Sequence, residues 1–134
     1  MPGRNAWDRW PAWRGACKST GWRWEDAPDG AGKEGVTYWN FASRYNILLL
    51  ASLQSALGTD FGLTTVDGLQ QSGDYQIAMC GAGRMSVDFS DCTLVPLSEP
   101  QHFWMGKRYS IPRYSWFRYN ALRDGQQGGL LDLL

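Results

Sequence analysis

The sequence has little histidine, no surplus of either charge and no long apolar run, and each shortage narrows what the chain can be. Lys plus Arg and Asp plus Glu number 13 each in 134 residues, so no overall field draws nucleic acid or an anionic surface, although a polyanion can still bind locally. The three cysteines, Cys17, Cys80 and Cys92, are odd in number and lack paired spacing; they support neither a disulfide framework nor a tetrahedral zinc site and read as free thiols. No cofactor is implied. The longest apolar stretch, Ile47 to Ala51, falls far short of the roughly 20 residues of a membrane span. The start, "MPGRNAWDRWPAWRGAC", has no apolar core before a cleavage site and is not a secretory signal. The expectation is a single domain that does not span a membrane.

What the chain does have is aromatic side chains. Trp7, Trp10, Trp13, Trp22 and Trp24 alternate with Arg4, Arg9, Arg14 and Arg23. Indole faces and guanidinium planes both stack on sugars or bases. Against that, Pro11 breaks any helix carrying the stripe, and no compact apolar periodicity accompanies it. Trp, Arg, Gly, Ala and Pro are also what GC-rich DNA encodes in an unselected frame. Residues 1–27 are therefore expected to be poorly ordered or non-native to the fold. Pro28-Asp29-Gly30 and Gly32 then form a loop.

From Asn40 onward, Phe41, Tyr45, Leu48, Leu49, Leu53, Ala56 and Leu57 follow three- and four-residue steps, predicting a helix that buries this stripe. Asn40 or Ser43 suits its cap and Gly58 its left-handed stop. A short helical turn is expected at Thr65–Gln71, closed by Gly73-Asp74. Tyr75, Ile77 and Met79, then Met85, Val87 and Phe89, alternate with polar or small residues around Gly81-Ala82-Gly83, predicting a β-hairpin packed on the helix. Glu99–Tyr109 and Pro112–Asp124 read as two further helices, with proline in a first turn. The predicted class is mainly α with a two-stranded antiparallel hairpin.

Few residues offer chemistry. His102, the single histidine, sits beside Phe103 and Trp104, which suits a packed or surface residue better than a base. Gly81-Ala82-Gly83 is too short for a phosphate loop, and Asp88 and Asp91 suit strand-end or turn positions. Glu34, Tyr38, Trp39, Asn40 and Tyr45 differ. They gather where a glycine-rich loop enters a helix, a place from which side chains project into a cleft.

The runs "KEGVTYWNFASRYNILLLASLQSALGTDFGL", "GDYQIAMCGAGRMSVDFSDC" and "QHFWMGKRYSIPRYSWFRY" resemble the heparinase II/III-like polysaccharide lyases. The resemblance covers the chain from about Pro28 to its end. It implies an (α/α) toroid of helical hairpins, a uronic-acid polysaccharide as partner, β-elimination as the reaction, and a periplasmic or secreted setting. Elimination requires the uronate carboxylate neutralised, a base for the C5 proton and an acid for the departing oxygen. Tyr38 matches the family's catalytic tyrosine, and Glu34, Trp39, Asn40 and Tyr45 are the accompanying candidates for substrate binding. Tyr38-Trp39 also suits a loop-to-helix staple, Tyr45 the core, and Glu34 orientation of the loop. The sequence departs from the family in having no Asn/His pair before Glu34 and too few helices to close a ring. Residues 28–134 are thus expected to be a partial toroid, inactive alone, able to self-associate through exposed apolar faces.

Overall fold

The computed structural model describes residues 29–97 and 99–134. The expectation for residues 1–27 lies outside them. Among the described residues there are four α-helices: α1 (Val36–Leu57), α2 (Ser72–Ala78), α3 (Gln101–Tyr109) and α4 (Pro112–Arg123). Short 3-10 turns fall at Leu63–Thr65, Ala82–Arg84 and Leu130–Leu133. None of these helices is long and apolar enough to cross a membrane.

The α3–α4 hairpin follows the sequence closely. Ser110 closes α3 at φ 55°, and Pro112, whose ring presets a helical φ, opens α4. The two helices touch at Gly106, where a β-carbon would lie 2.2 Å from Ser115 Oγ, so only glycine allows this approach. α1 stops at Gly58, whose φ of 69° is left-handed and whose N–H reaches Gln54 O at 3.1 Å.

The phase of α1 is not the one its apolar spacing predicts. The helix starts at Val36 with Gly35 as its cap, four residues before Asn40. Its buried face is Val36, Trp39, Asn40, Ser43, Ile47 and Leu50, whereas Phe41, Tyr45, Leu49 and Leu57 are exposed. The cause is polar pairing. Asn40 Oδ1 accepts a hydrogen bond from Gln76 Nε2 on α2. Ser43 Oγ donates to Asn40 O and accepts from Gln101 Nε2 on α3 at 2.8 Å. Asn40 and Ser43 thus face inward because their partners are there, and neither caps the helix.

The β-hairpin is not formed either. Tyr75–Ala78 belongs to α2, and the following segment makes only the isolated bridges Cys80↔Ser86 and Met85↔Pro96. Over so few residues a helical and an alternating period cannot be told apart. Here the core chose the helix, which brings Ser72 and Gln76 inward together and sets Gly73 against the Tyr114 ring, where a β-carbon would come within 2.7 Å. No α-helix forms at Thr65–Gln71, where only turns follow the 3-10 turn at Leu63–Thr65, and Gly73-Asp74, expected to close it, lies inside α2.

Two apolar clusters result. Ile47, Leu50, Leu69, Met105 and Tyr114 join α1 to the α3–α4 hairpin. Val36, Trp39, Cys92 and Leu97 hold the start of α1 against the irregular 80–97 segment. A buried ion pair, Arg118 Nε to Asp132 Oδ1 at 2.6 Å, fastens the C-terminal turn to α4.

Candidate functional site

The loop before α1 is held from two sides. Gly30, at φ 81°, lies so close to α2 that a β-carbon would be 2.6 Å from Ser72 N. Gly35, at φ 93°, is pressed on the 80–97 segment, where a β-carbon would come within 2.7 Å of both Cys92 Cβ and Phe89 O. Tyr75 donates its hydroxyl to Gly32 O at 2.9 Å, and Thr37 Oγ1 meets Cys92 Sγ at 2.9 Å. These contacts fix where α1 begins and therefore where Tyr38 points.

Tyr38 points outward. Its ring is 48 % exposed in the first turn of α1. Tyr45 is 57 % exposed two turns on, and Phe41, which the sequence placed in the core, lies between them at 65 %. Phe41 and Tyr45 pair with ring centroids 4.8 Å apart. Glu34 is exposed in the loop just before the helix. Tyr45 is thus a surface residue and not part of the core stripe.

The other two candidates turn the opposite way. Trp39 is 2 % exposed, its ring 6.3 Å from Tyr75 and 6.0 Å from His102. Asn40 is spent on Gln76. Tyr38 and Tyr45 are open to the surface, whereas the Trp39 indole and the Asn40 amide are not.

Behind this face sits His102, fully buried among Trp39, Tyr114 and Phe117, with centroid distances of 6.0, 5.8 and 5.2 Å. Its two ring nitrogens lie 3.3 Å from Glu99 O and Gly73 O. Burial drives its pKa down to about 4; the two carbonyls and Asp74 oppose the shift and Arg118 adds to it. The ring is neutral near pH 7 and enclosed, which suits packing and not proton transfer to a surface ligand.

Cys92 closes the helix start. Burial pushes its thiol up, but hydrogen bonds from Thr37, Ser86 and the Val36 backbone outweigh that and hold it below its ordinary value. Cys80 is raised by burial. Both are free thiols. Among the described residues no group of three His, Cys, Asp or Glu is placed to hold a metal. A shallow concavity of about 350 Å³, lined by residues between Thr64 and Gln71, includes none of the sequence candidates.

Phe41, Thr37 and Cys92 were not singled out in the sequence as parts of this site. No local signal separates Phe41 from the core: the inward stripe of Val36, Asn40, Ser43, Ile47 and Leu50, which turns Tyr38, Phe41 and Tyr45 to the opposite side, includes two polar residues and does not read as an apolar face. Comparison of the chain with protein-family models, with curated proteins and with solved structures returns no match.

Proposed function

We propose that residues 28–134 form part of a toroid-type helical domain of the heparinase II/III-like polysaccharide lyases, with Tyr38 facing a uronic-acid polysaccharide. The observation that supports this most directly is the exposed Tyr38 ring at the first turn of α1, behind the fixed Gly35 turn and in line with Tyr45. A tyrosine hydroxyl there can exchange a proton with a sugar, and flanking rings stack on pyranose faces. The described helices supply the tyrosine and the aromatic surface. Groups that neutralise the uronate carboxylate would come from further helices of a toroid, so this chain alone binds its polymer without cleaving it. The test is calorimetric titration with alginate, heparan sulfate and hyaluronan, alongside ultraviolet absorbance for the C4=C5 bond of elimination. Saturable binding weakened by Tyr38→Ala, with flat absorbance, supports the proposal. No binding to any uronate polymer overturns it.

A second reading has its own observation. Trp116 and Tyr119 are 66 % and 57 % exposed on the outward face of α4, with Arg123 one turn beyond Tyr119. Such a platform suits a non-catalytic module that binds carbohydrate or a partner protein. Binding lost in Trp116→Ala and kept in Tyr38→Ala would select it.

A further inference from the structure

Three short stretches of the 80–97 segment lie side by side, and the way they face decides what surrounds the two described cysteines. Gly81 N donates to Met85 O at 2.8 Å and Val87 N to Met79 O at 3.0 Å, which sets Cys80 opposite Ser86 between two ladder bonds. Residues opposed in that way point their side chains to one face, with α-carbons about 4.5 Å apart. Ser86 N donates to Val95 O at 2.8 Å and Leu97 N to Arg84 O at 2.7 Å, so Leu97 shares that face. The face rests on the cluster of Val36, Trp39, Cys92 and Leu97, and Cys80 packs against the same cluster. Ser86 Oγ donates to Thr93 O at 2.8 Å, and Cys92 Sγ donates to that carbonyl at 3.4 Å. Ser86 is thus the shared neighbour of both cysteines.

We infer that Cys80 and Cys92 close a reversible disulfide when the chain meets a small-molecule disulfide, and that closing it loosens the first turn of α1. Cys80 is partly exposed whereas Cys92 is 2 % exposed, so the reagent meets Cys80 first. The Cys80 thiolate attacks one sulfur of the reagent, whose S–S bond breaks, and one half of the reagent leaves as a thiolate. The Cys92 thiolate then attacks Cys80 Sγ, the Cys80–Cys92 bond forms and the second half leaves. The two cysteine protons end on the two released thiols, and two electrons pass from the cysteines to the reagent. Burial opposes ionisation of Cys92, but its hydrogen bonds outweigh burial and suit it to the second attack. A disulfide needs α-carbons within about 7 Å of each other, and the backbone around Cys92 is free to supply the approach. Residues 88–94 carry the turn bond from Cys92 N to Phe89 O, at 3.1 Å, and no ladder bridge. Closure draws Cys92 Sγ away from Thr37 Oγ1, which it meets at 2.9 Å, and from the Val36 backbone. The start of α1 loses both contacts.

Mass spectrometry and amide exchange on the full chain, incubated with glutathione disulfide and then returned to dithiothreitol, test this. The expected results are a fragment joining Cys80 to Cys92 within one chain and exchange of the Trp39 amide, which bonds Gly35 O, quickened by about tenfold, both reversed on reduction. Cys80→Ser should abolish the linked fragment and keep the slow exchange. Cys80 and Cys92 that both stay free, a lasting glutathione adduct on Cys80, or bonds to Cys17 or to a second chain in place of the pair overturn the inference. A closed pair that leaves Trp39 exchange unchanged overturns its link to α1. Neither readout involves a polymer, so the outcome is independent of the polysaccharide reading.

Discussion

Phe41 and Tyr45, one turn apart on α1, hold their rings 4.8 Å apart on the side of the helix that faces away from the core. Ile47, two residues beyond Tyr45, is 1 % exposed on the opposite side. The orientation of α1 therefore makes opposite demands on apolar residues that look equivalent in the sequence.

Truncation separates them. Ile47→Ala removes a fully buried branch from the cluster with Leu50, Leu69, Met105 and Tyr114 and should cost about 2–5 kcal/mol. Phe41→Ala, on a side chain 65 % exposed, should stay within about 0.5 kcal/mol of the parent when the chain is monomeric. Urea unfolding at low protein concentration measures both. If the sequence stripe were the buried one, the order would reverse.

Close helix contact makes a second pair of substitutions informative. Gly106→Ala drives a β-carbon into Ser115, 2.2 Å from its Oγ and 3.0 Å from its backbone N, and should destabilise by about 1–3 kcal/mol. Gly129→Ala meets nothing within 4 Å at a φ of −147° and should be near neutral. Thermal unfolding of the two variants gives the comparison.

The Arg118–Asp132 pair is enclosed, with side chains 3 % and 10 % exposed. Asp132→Asn leaves the guanidinium buried without its counter-charge, a loss on the order of 3–5 kcal/mol. The Arg118 hydrogen bond, with help from the Gly129 N–H and against burial, holds the Asp132 carboxyl below its ordinary value. This contribution is present above the unfolded carboxylate pKa and disappears as pH falls through the lower folded value. Amide exchange of the 130–133 turn should quicken in Asp132→Asn; unchanged protection would refute the anchoring role.

His102 sets a milder acid limit. Its folded pKa of about 4 lies below the ordinary 6.5, so the unfolded chain takes up the proton first. Stability attached to the neutral ring is full above pH 6.5 and declines as pH falls toward 4, by roughly 3 kcal/mol in all at about 1.36 kcal/mol per pH unit. Denaturation midpoints between pH 7 and 4 should show that slope, and His102→Gln should flatten it. An imidazole titrating near 6.5 by NMR would contradict the burial argument.

How much of this was legible beforehand depends on where each residue's partner lies. The α3–α4 hairpin was readable because Pro112 and the Ile111-Pro112 break are local signals. The existence of α1 was readable too, and so was its glycine stop. Its rotation was not, because Tyr, Phe and Leu are so frequent along it that both faces look apolar. The deciding residues, Asn40 and Ser43, find their partners in Gln76 and Gln101, far along the chain. The same long-range packing turned Tyr75–Ala78 into helix, with Gly73 set under Tyr114. Of the candidate residues, Tyr38, Glu34 and Tyr45 are exposed. Trp39 and Asn40 were drawn inward by contacts that no local pattern announces.

Tyr38, Phe41 and Tyr45 form the exposed face of α1 to which polymer binding is proposed. Calorimetric titration of the dilute full chain with uronate polymers, parent against Tyr38→Ala, tests it most directly. The account predicts saturable binding to at least one polymer and on the order of a tenfold loss in Tyr38→Ala, about 1.4 kcal/mol, with helical content unchanged. Binding that is absent for every polymer, or equally tight in Tyr38→Ala, would contradict it.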